Sequence, residues 1–169
     1  MITLHQSTHP SVSIRELYES AFPLAERRPW PAQLKLLEAG KLRLLEIHRD
    51  EQYAGFIFYW SLPHFAFVEH FAIDPNARGG GAGTAVMEQM AAALPAIVLE
   101  VEPPDTEQAI RRINFYERLG YRTFPDYYEQ PPYHPGYAPL QLQLMYLNLP
   151  PAMDFAQIKK ELYREIYQQ

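Results

Sequence analysis

Apolar and polar residues follow two different periods along this chain, and the switches between them mark its elements. From Ser11 to Phe22 the residues Ile14, Leu17, Tyr18 and Ala21 recur at helical spacing, which predicts a helix. A second short helix is expected over Pro31–Ala39, with proline at its start and Gly40 as its stop. Met1–His5 reads as a short strand. Leu42–His48 and Tyr53–Trp60 read as two strands around the polar turn Arg49-Asp50-Glu51-Gln52, and Phe65–Ile73 as a third after the turn Leu62-Pro63-His64. A glycine-rich segment then leads into a helix, Thr84–Leu94, which Pro95 ends, and Ala96–Val101 reads as a buried strand. Glu107–Leu119 is a further helix with Gly120 just past its end. Tyr121–Tyr128 and Leu140–Leu147 are the last expected strands. The latter alternates Leu140, Leu142, Leu144 and Tyr146 on one face. Asp154 with Gln157 forms a capping-box start to a final helix with the stripe Phe155, Ile158, Leu162 and Ile166. Hairpin-length links make the three central strands an antiparallel meander, and each strand–helix–strand unit predicts parallel neighbours. The expected fold class is α/β (α+β), a mixed, mainly antiparallel sheet of about seven strands with helices on both faces.

Composition narrows the function more than the fold. The chain has 169 residues, of which 47% are hydrophobic and 21% charged, a globular mixture of one-domain size. It contains no cysteine, which excludes disulfides, cysteine nucleophiles and thiolate metal sites. Six scattered histidines show no paired ligand spacing, so no metal site is expected. No apolar run reaches the ~18 residues that span a bilayer. The start, Met1-Ile2-Thr3-Leu4-His5, lacks the basic and apolar regions of a signal peptide. The expectation is a cytoplasmic protein without membrane contact, monomeric or homodimeric. The net charge of −5, from 15 Lys+Arg against 20 Asp+Glu, argues against nucleic-acid partners and suits cationic small substrates.

The most informative stretch is Phe71-Ala72-Ile73-Asp74-Pro75-Asn76-Ala77-Arg78-Gly79-Gly80-Gly81-Ala82-Gly83-Thr84, between a predicted strand and a predicted helix. Glycines let the backbone approach an anion closely, and a helix start presents free N–H groups to a phosphate. A Walker loop requires a lysine after its glycines, and none stands between Gly83 and Thr84. A dinucleotide fingerprint requires a different glycine spacing after a first strand.

Arg78-Gly79-Gly80-Gly81-Ala82-Gly83 resembles the Arg/Gln-x-x-Gly-x-Gly/Ala signature of the GNAT superfamily of acetyl-CoA-dependent N-acetyltransferases. Downstream, Asn114-Phe115-Tyr116-Glu117-Arg118-Leu119-Gly120-Tyr121 is similar to that family's second motif. The resemblance covers residues 41–148 well and implies a single N-acetyltransferase-like domain over 1–150, with 151–169 a helix packed on it or on a partner. One departure stands out: many family members carry asparagine where this chain has Ala109, and Arg111-Arg112 occupy the next turn.

The resemblance implies a co-substrate, acetyl-CoA, in a V-shaped gap between the strand before the glycine loop and Ala96–Val101. The pyrophosphate would rest on the N–H groups of Gly79, Gly80, Gly81, Ala82, Gly83 and Thr84, with Arg78 beside it; Arg112, where this chain departs from the family pattern, is read as a further contact to the cofactor phosphates or as a surface charge paired with acids. The pantetheine arm would pair with Phe71, Ala72 and Ile73, and a backbone N–H near Ile73 would polarise the thioester. Tyr116 matches the family's general acid. The acceptor, a small-molecule or peptide amine, would attack directly after losing its proton to a base. Strand alternation places Glu69 on the side of Phe67, Phe71 and Ile73, with His70 opposite, and a buried Glu69 should have a raised pKa. Glu69 is the first candidate base and Glu100 the second. Phe22, Trp30, Tyr128, Tyr133 and His134 are the expected walls of the acceptor site, since aromatic faces hold cations. Aminoglycoside-like, peptide N-terminal and lysine acceptors all remain open. The alternatives are a non-catalytic acyl-CoA-binding module of the same fold and an ATP-binding protein using the glycine loop.

Overall fold

In the computed structural model, which describes residues 1–169, strands and helices follow one another much as the periodicities direct. The order is β1 (Ile2–Ser7), α1 (Val12–Ala21), α2 (Trp30–Glu38), β2 (Arg43–Arg49), β3 (Gln52–Ser61), β4 (Ala66–Ile73), α3 (Ala82–Ala93), β5 (Ile97–Val101), α4 (Glu107–Arg118), β6 (Arg122–Thr123), β7 (Tyr128–Gln130), β8 (Leu140–Leu147) and α5 (Phe155–Glu165). Short 3₁₀ turns cover Leu24–Glu26 and Pro75–Ala77. Ser11 and Thr106 cap α1 and α4 through side-chain oxygens, and Asp154 and Gln157 form the expected capping box on α5. The β2–β3 turn places Asp50 and Glu51 at φ 50° and 69°, the left-handed pair that a tight hairpin requires.

The strands form one mixed sheet in the order β1-β2-β3-β4-β5-β8-β6, with β7 also paired to β8. Every pairing is antiparallel except β4 with β5. The sheet has eight strands rather than about seven. The segment expected as one strand, Tyr121–Tyr128, breaks around Pro125, which cannot donate to a ladder, and its two ends pair with different parts of β8. Only the first strand–helix–strand unit has parallel neighbours. In the second, the eight-residue β8 lies between β5 and β6, antiparallel to both, and pairs along the whole of β5.

The helices divide between the two faces. On one, Ile14, Leu17 and Tyr18 of α1, Trp30 and Leu37 of α2, and Ile158 and Leu162 of α5 pack on Phe56, Phe58, Phe67 and Leu144. On the other, Val86, Met87 and Met90 of α3 and Ile113 and Tyr116 of α4 pack on Ile57, Val68, Leu99 and Met145. No helix is long and apolar enough to cross a membrane.

Two irregularities in β4 prepare the site. Its pairing with β5 covers only Ala66–Val68 against Ile97–Leu99, so the strands part beyond that point. Its pairing with β3 shifts at the same place: Phe58 faces His70 while Tyr59 faces Val68, which leaves Glu69 as an extra residue in a β-bulge. The extra residue resets the alternation. Phe67 and Ala72 belong to the α1 side, whereas Val68, Phe71 and Ile73 lie on the α3 side. Glu69 and His70 therefore share the α1 side, which corrects the expectation that they oppose each other and that Glu69 sits with Phe71 and Ile73.

Candidate active site

The glycine loop holds its donors free. Gly79, Gly80 and Gly81 all adopt positive φ, at 89°, 61° and 76°, which L side chains reach only under strain. No protein acceptor takes the N–H groups of Gly79, Gly80, Gly81, Gly83 or Thr84, whereas Ala82 donates to the Gly79 carbonyl at 3.4 Å. The loop carbonyls are occupied from behind. Arg49, at the end of β2, donates to the Ala77 carbonyl at 2.9 Å and to the Gly79 carbonyl at 2.6 Å. Free amides at the start of the twelve-residue α3 form a cradle suited to an anion.

Beside the loop, a cavity of about 420 Å³ is lined by Phe71, Ala72, Ile73, Arg78, Gly83, Arg112, Phe115 and Tyr116. The Asp74 N–H donates to Ala54 at 2.7 Å, so the Ile73 carbonyl of the same peptide points the other way, into the gap. There it accepts from Arg78 Nε at 3.2 Å. By strand alternation the Phe71 and Ile73 N–H groups face the gap too. Tyr116 is buried, packs edge-on against Phe115 and Tyr121, and makes no hydrogen bond with its hydroxyl. Burial pushes that hydroxyl up to about 12, so it is protonated near neutral pH.

A second cavity, of about 280 Å³, contains Glu26, Glu69, His70, Glu100, Glu102 and Gln130 in its wall. Ala21, Phe22, Gln108 and Arg112 line both cavities, so the two spaces share a wall. Arg112 lies 3.9 Å from Glu102 in a half-exposed pair.

The two buried carboxylates of this second cavity differ sharply. Glu69 is fully buried and receives Arg28 in a fork (3.3 and 2.9 Å), Trp60 Nε1 at 2.8 Å and the Tyr133 hydroxyl at 2.5 Å. Burial alone would raise its pKa, but the Arg28 charge, the neighbouring His70 and the hydrogen bonds from Arg28 and Trp60 hold it at about 2. The expected raised pKa is thus reversed, because a buried guanidinium meets the carboxylate. Glu100 accepts from the hydroxyls of Tyr128 (2.5 Å) and Tyr167 (2.7 Å) and from Gln130 Nε2 (3.0 Å). All three donors are neutral, and burial pushes this carboxyl up to about 7.

Of the expected aromatic walls, Phe22 lines both cavities. Trp30 is buried in the core against Tyr18 and Phe58 and lines neither, because the stripe of α2 faces the sheet. Tyr128 is buried beneath Glu100. Tyr133 lies under Arg28, its ring 5.1 Å from the guanidinium carbon, and opens instead onto a separate cavity with Lys35 and Tyr167. His134 joins its Nε2 to the carbonyls of Leu24 and Arg27, fastening the proline-rich loop to the 3₁₀ turn. Arg49, Gln130 and Tyr167 escape sequence reasoning, since each arrives from an element distant in the chain. The bulge left one trace: Glu69-His70 is a polar doublet inside an otherwise apolar strand.

Residues 11–121 match the model of the acetyltransferase (GNAT) family. A Bacteroides thetaiotaomicron protein assigned to the GNAT family as an acetyltransferase is 37% identical, with 93% of this chain and 91% of that one covered, at a TM-score of 0.88. A Bacillus subtilis acetyltransferase solved in complex with CoA is 14% identical and shares the fold, covering 89% of this chain and all of its own, at a TM-score of 0.58. In sequence, the Bacillus subtilis (strain 168) protein YjbC, assigned as an acetyltransferase, is 29% identical over 85 residues, and the match spans 44% of each chain.

Proposed function

Because the chain belongs to the GNAT acetyltransferase family, we propose that it transfers an acetyl group from acetyl-CoA to a primary amine by direct attack. The observation that supports this most is the shared wall between the loop-side cavity and the carboxylate-lined cavity. A donor molecule in one and an acceptor in the other would meet at Phe22.

The residues present fit acetyl-CoA. Unpartnered amides at Gly79, Gly80, Gly81, Gly83 and Thr84 suit a pyrophosphate, and Arg78, Arg111 and Arg112 border the same space. The free edge of β4 at Phe71 and Ile73 can pair with an amide-bearing arm, and the Ile73 N–H can donate to a thioester oxygen. When bound, the thioester supplies the activated acetyl group. Tyr116, protonated and unpartnered, can give its proton to the departing sulfur. Glu26, Glu69, Glu100 and Glu102 outnumber Arg112 in the acceptor cavity and favour a cationic or donor-rich molecule.

Thermal unfolding with acetyl-CoA, CoA and ATP side by side tests this reading. A ligand at 100 times its Kd should stabilise by about 2.7 kcal/mol. Stabilisation by both CoA forms and not by ATP is the expected result. No shift with any of them at millimolar concentration would overturn it. Turnover of acetyl-CoA with a panel of primary amines then separates an enzyme from a module that only binds acyl-CoA.

A further inference from the structure

The acceptor amine must lose a proton, and the two carboxylates beside it are poorly placed to take one. Glu69 has every lone-pair site engaged by Arg28, Trp60 and Tyr133. Glu100 has three donors on its two oxygens. Two other buried side-chain acceptors in the wall of this cavity have no partner: His70 Nδ1 and Gln130 Oε1.

The bulge at Glu69 turns His70 onto this side of the sheet. Its Nε2 lies 2.9 Å from the Glu26 carbonyl oxygen, which can only accept, so Nε2 carries the hydrogen. In a neutral ring Nδ1 is then a bare lone pair. Phe22, whose side chain lines both cavities, stands edge-on to the imidazole at 4.7 Å. His70 also directly precedes Phe71, where the free edge of β4 begins.

Resting on the function proposed above, we infer that His70 is a catalytic residue whose Nδ1 takes the proton from the acceptor amine. The nitrogen's lone pair forms the C–N bond to the acetyl carbon as the C–S bond breaks. The amine proton passes to His70 Nδ1, and the sulfur receives the Tyr116 hydroxyl proton. Solvent then takes the proton from His70 and replenishes Tyr116. Gln130 Oε1 accepts a second hydrogen of the amine and orients it. The groups facing the imidazole agree with a neutral ring. Glu69 adjoins it on β4, with Arg28 bound to that carboxylate; Tyr18 comes from α1, Phe22 from just past its end, Glu26 from the 3₁₀ turn and Tyr133 from the proline-rich loop. Burial lowers the His70 pKa below its usual value, and Glu69 only partly offsets this.

The test uses the full chain, acetyl-CoA and four acceptor probes: glycinamide, lysine amide, ethanolamine and 1,4-diaminobutane. His70→Gln keeps a donor for the Glu26 carbonyl but cannot take a proton. It should lower kcat about 100-fold with the fastest probe while leaving CoA stabilisation unchanged. It should also abolish the acid limb of the pH–kcat profile, a limb that Glu100→Gln retains. Wild-type kcat in His70→Gln, or loss of the limb in Glu100→Gln instead, would overturn the inference. Should no probe turn over, ¹⁵N NMR of the histidine rings decides the matter in CoA-saturated protein. His70 should be the neutral Nε2–H tautomer at pH 7, and its Nδ1 resonance should shift on titration with methylamine. A protonated ring, the other tautomer or an unmoved resonance overturns it. Failure of CoA to bind overturns the underlying function as well, so the two failures are distinguishable.

Discussion

The two sides of the gap beyond Val68 are built in opposite ways. On the loop side, backbone donors stand free and a single remote arginine, Arg49, occupies the carbonyls behind them. On the carboxylate side, most polar atoms are already matched by side chains from five separate segments. Free amides suit an anion that brings its own charge. A matched network is stiff, and its few open positions decide what can enter. Even within the network the contrast repeats: Glu69 and Glu100 are equally buried, yet a charged partner holds one carboxyl at about 2 and neutral partners leave the other at about 7.

The largest expected effect separates these two carboxylates. The folded pKa of Glu69 lies below its unfolded value near 4.5, so its stabilisation is full above pH 4.5 and lost as pH falls toward 2. That of Glu100 lies above, so its contribution is full below pH 4.5 and lost as pH rises through 7. In urea unfolding at pH 8, Glu69→Gln should therefore be less stable than wild type by about 3 kcal/mol and Glu100→Gln more stable by a similar amount. Near pH 4 the Glu100→Gln difference should vanish. Equal slopes for both variants would break the comparison.

Next in size, Tyr116→Phe should reduce kcat about 100-fold without changing CoA affinity, measured by steady-state kinetics and calorimetry. On the loop, Gly81→Ala meets no atom within 4 Å yet must hold φ 76°, and should cost about 1 kcal/mol in CoA-bound stability. Gly83→Ala, whose new methyl would sit 3.4 Å from Phe115 without a positive φ, should be milder and serves as the control. Smallest of all, Arg49→Ala removes two hydrogen bonds to loop carbonyls and should weaken CoA by several-fold, about 1 kcal/mol.

The same contrast explains what could be read from the chain alone. The loop side is contiguous: Phe71 to Thr84 carry strand end, turn and helix start in one stretch, and glycine's conformational freedom is a property of the residue itself. The elements were legible for the same local reason, including the capping box at Asp154 and the hairpin at Asp50-Glu51. The carboxylate side is assembled from residues 28, 60, 69, 100, 128, 130, 133 and 167, and no local pattern links Arg28 to Glu69 or Tyr167 to Glu100. The raised pKa expected for Glu69 treated burial as the only cause, and the partner arrives from 41 positions away. Pro125 accounts for the split of Tyr121–Tyr128, but which part of β8 each end meets is a choice made by the sheet.

The bulge at Glu69 works like a single extra stitch in a two-colour knit. Every later stitch in the row changes side. Straighten the bulge with Glu69 still in the ladder, and Phe71 and Ile73 would face α1 while His70 and Ala72 faced α3, exchanging the linings of both cavities without altering a single side chain. The two linings therefore depend on the register of β4 against β3, a property that ordinary substitutions there do not reveal. Register, more than identity, is what this part of the strand must hold to keep two reactants on speaking terms.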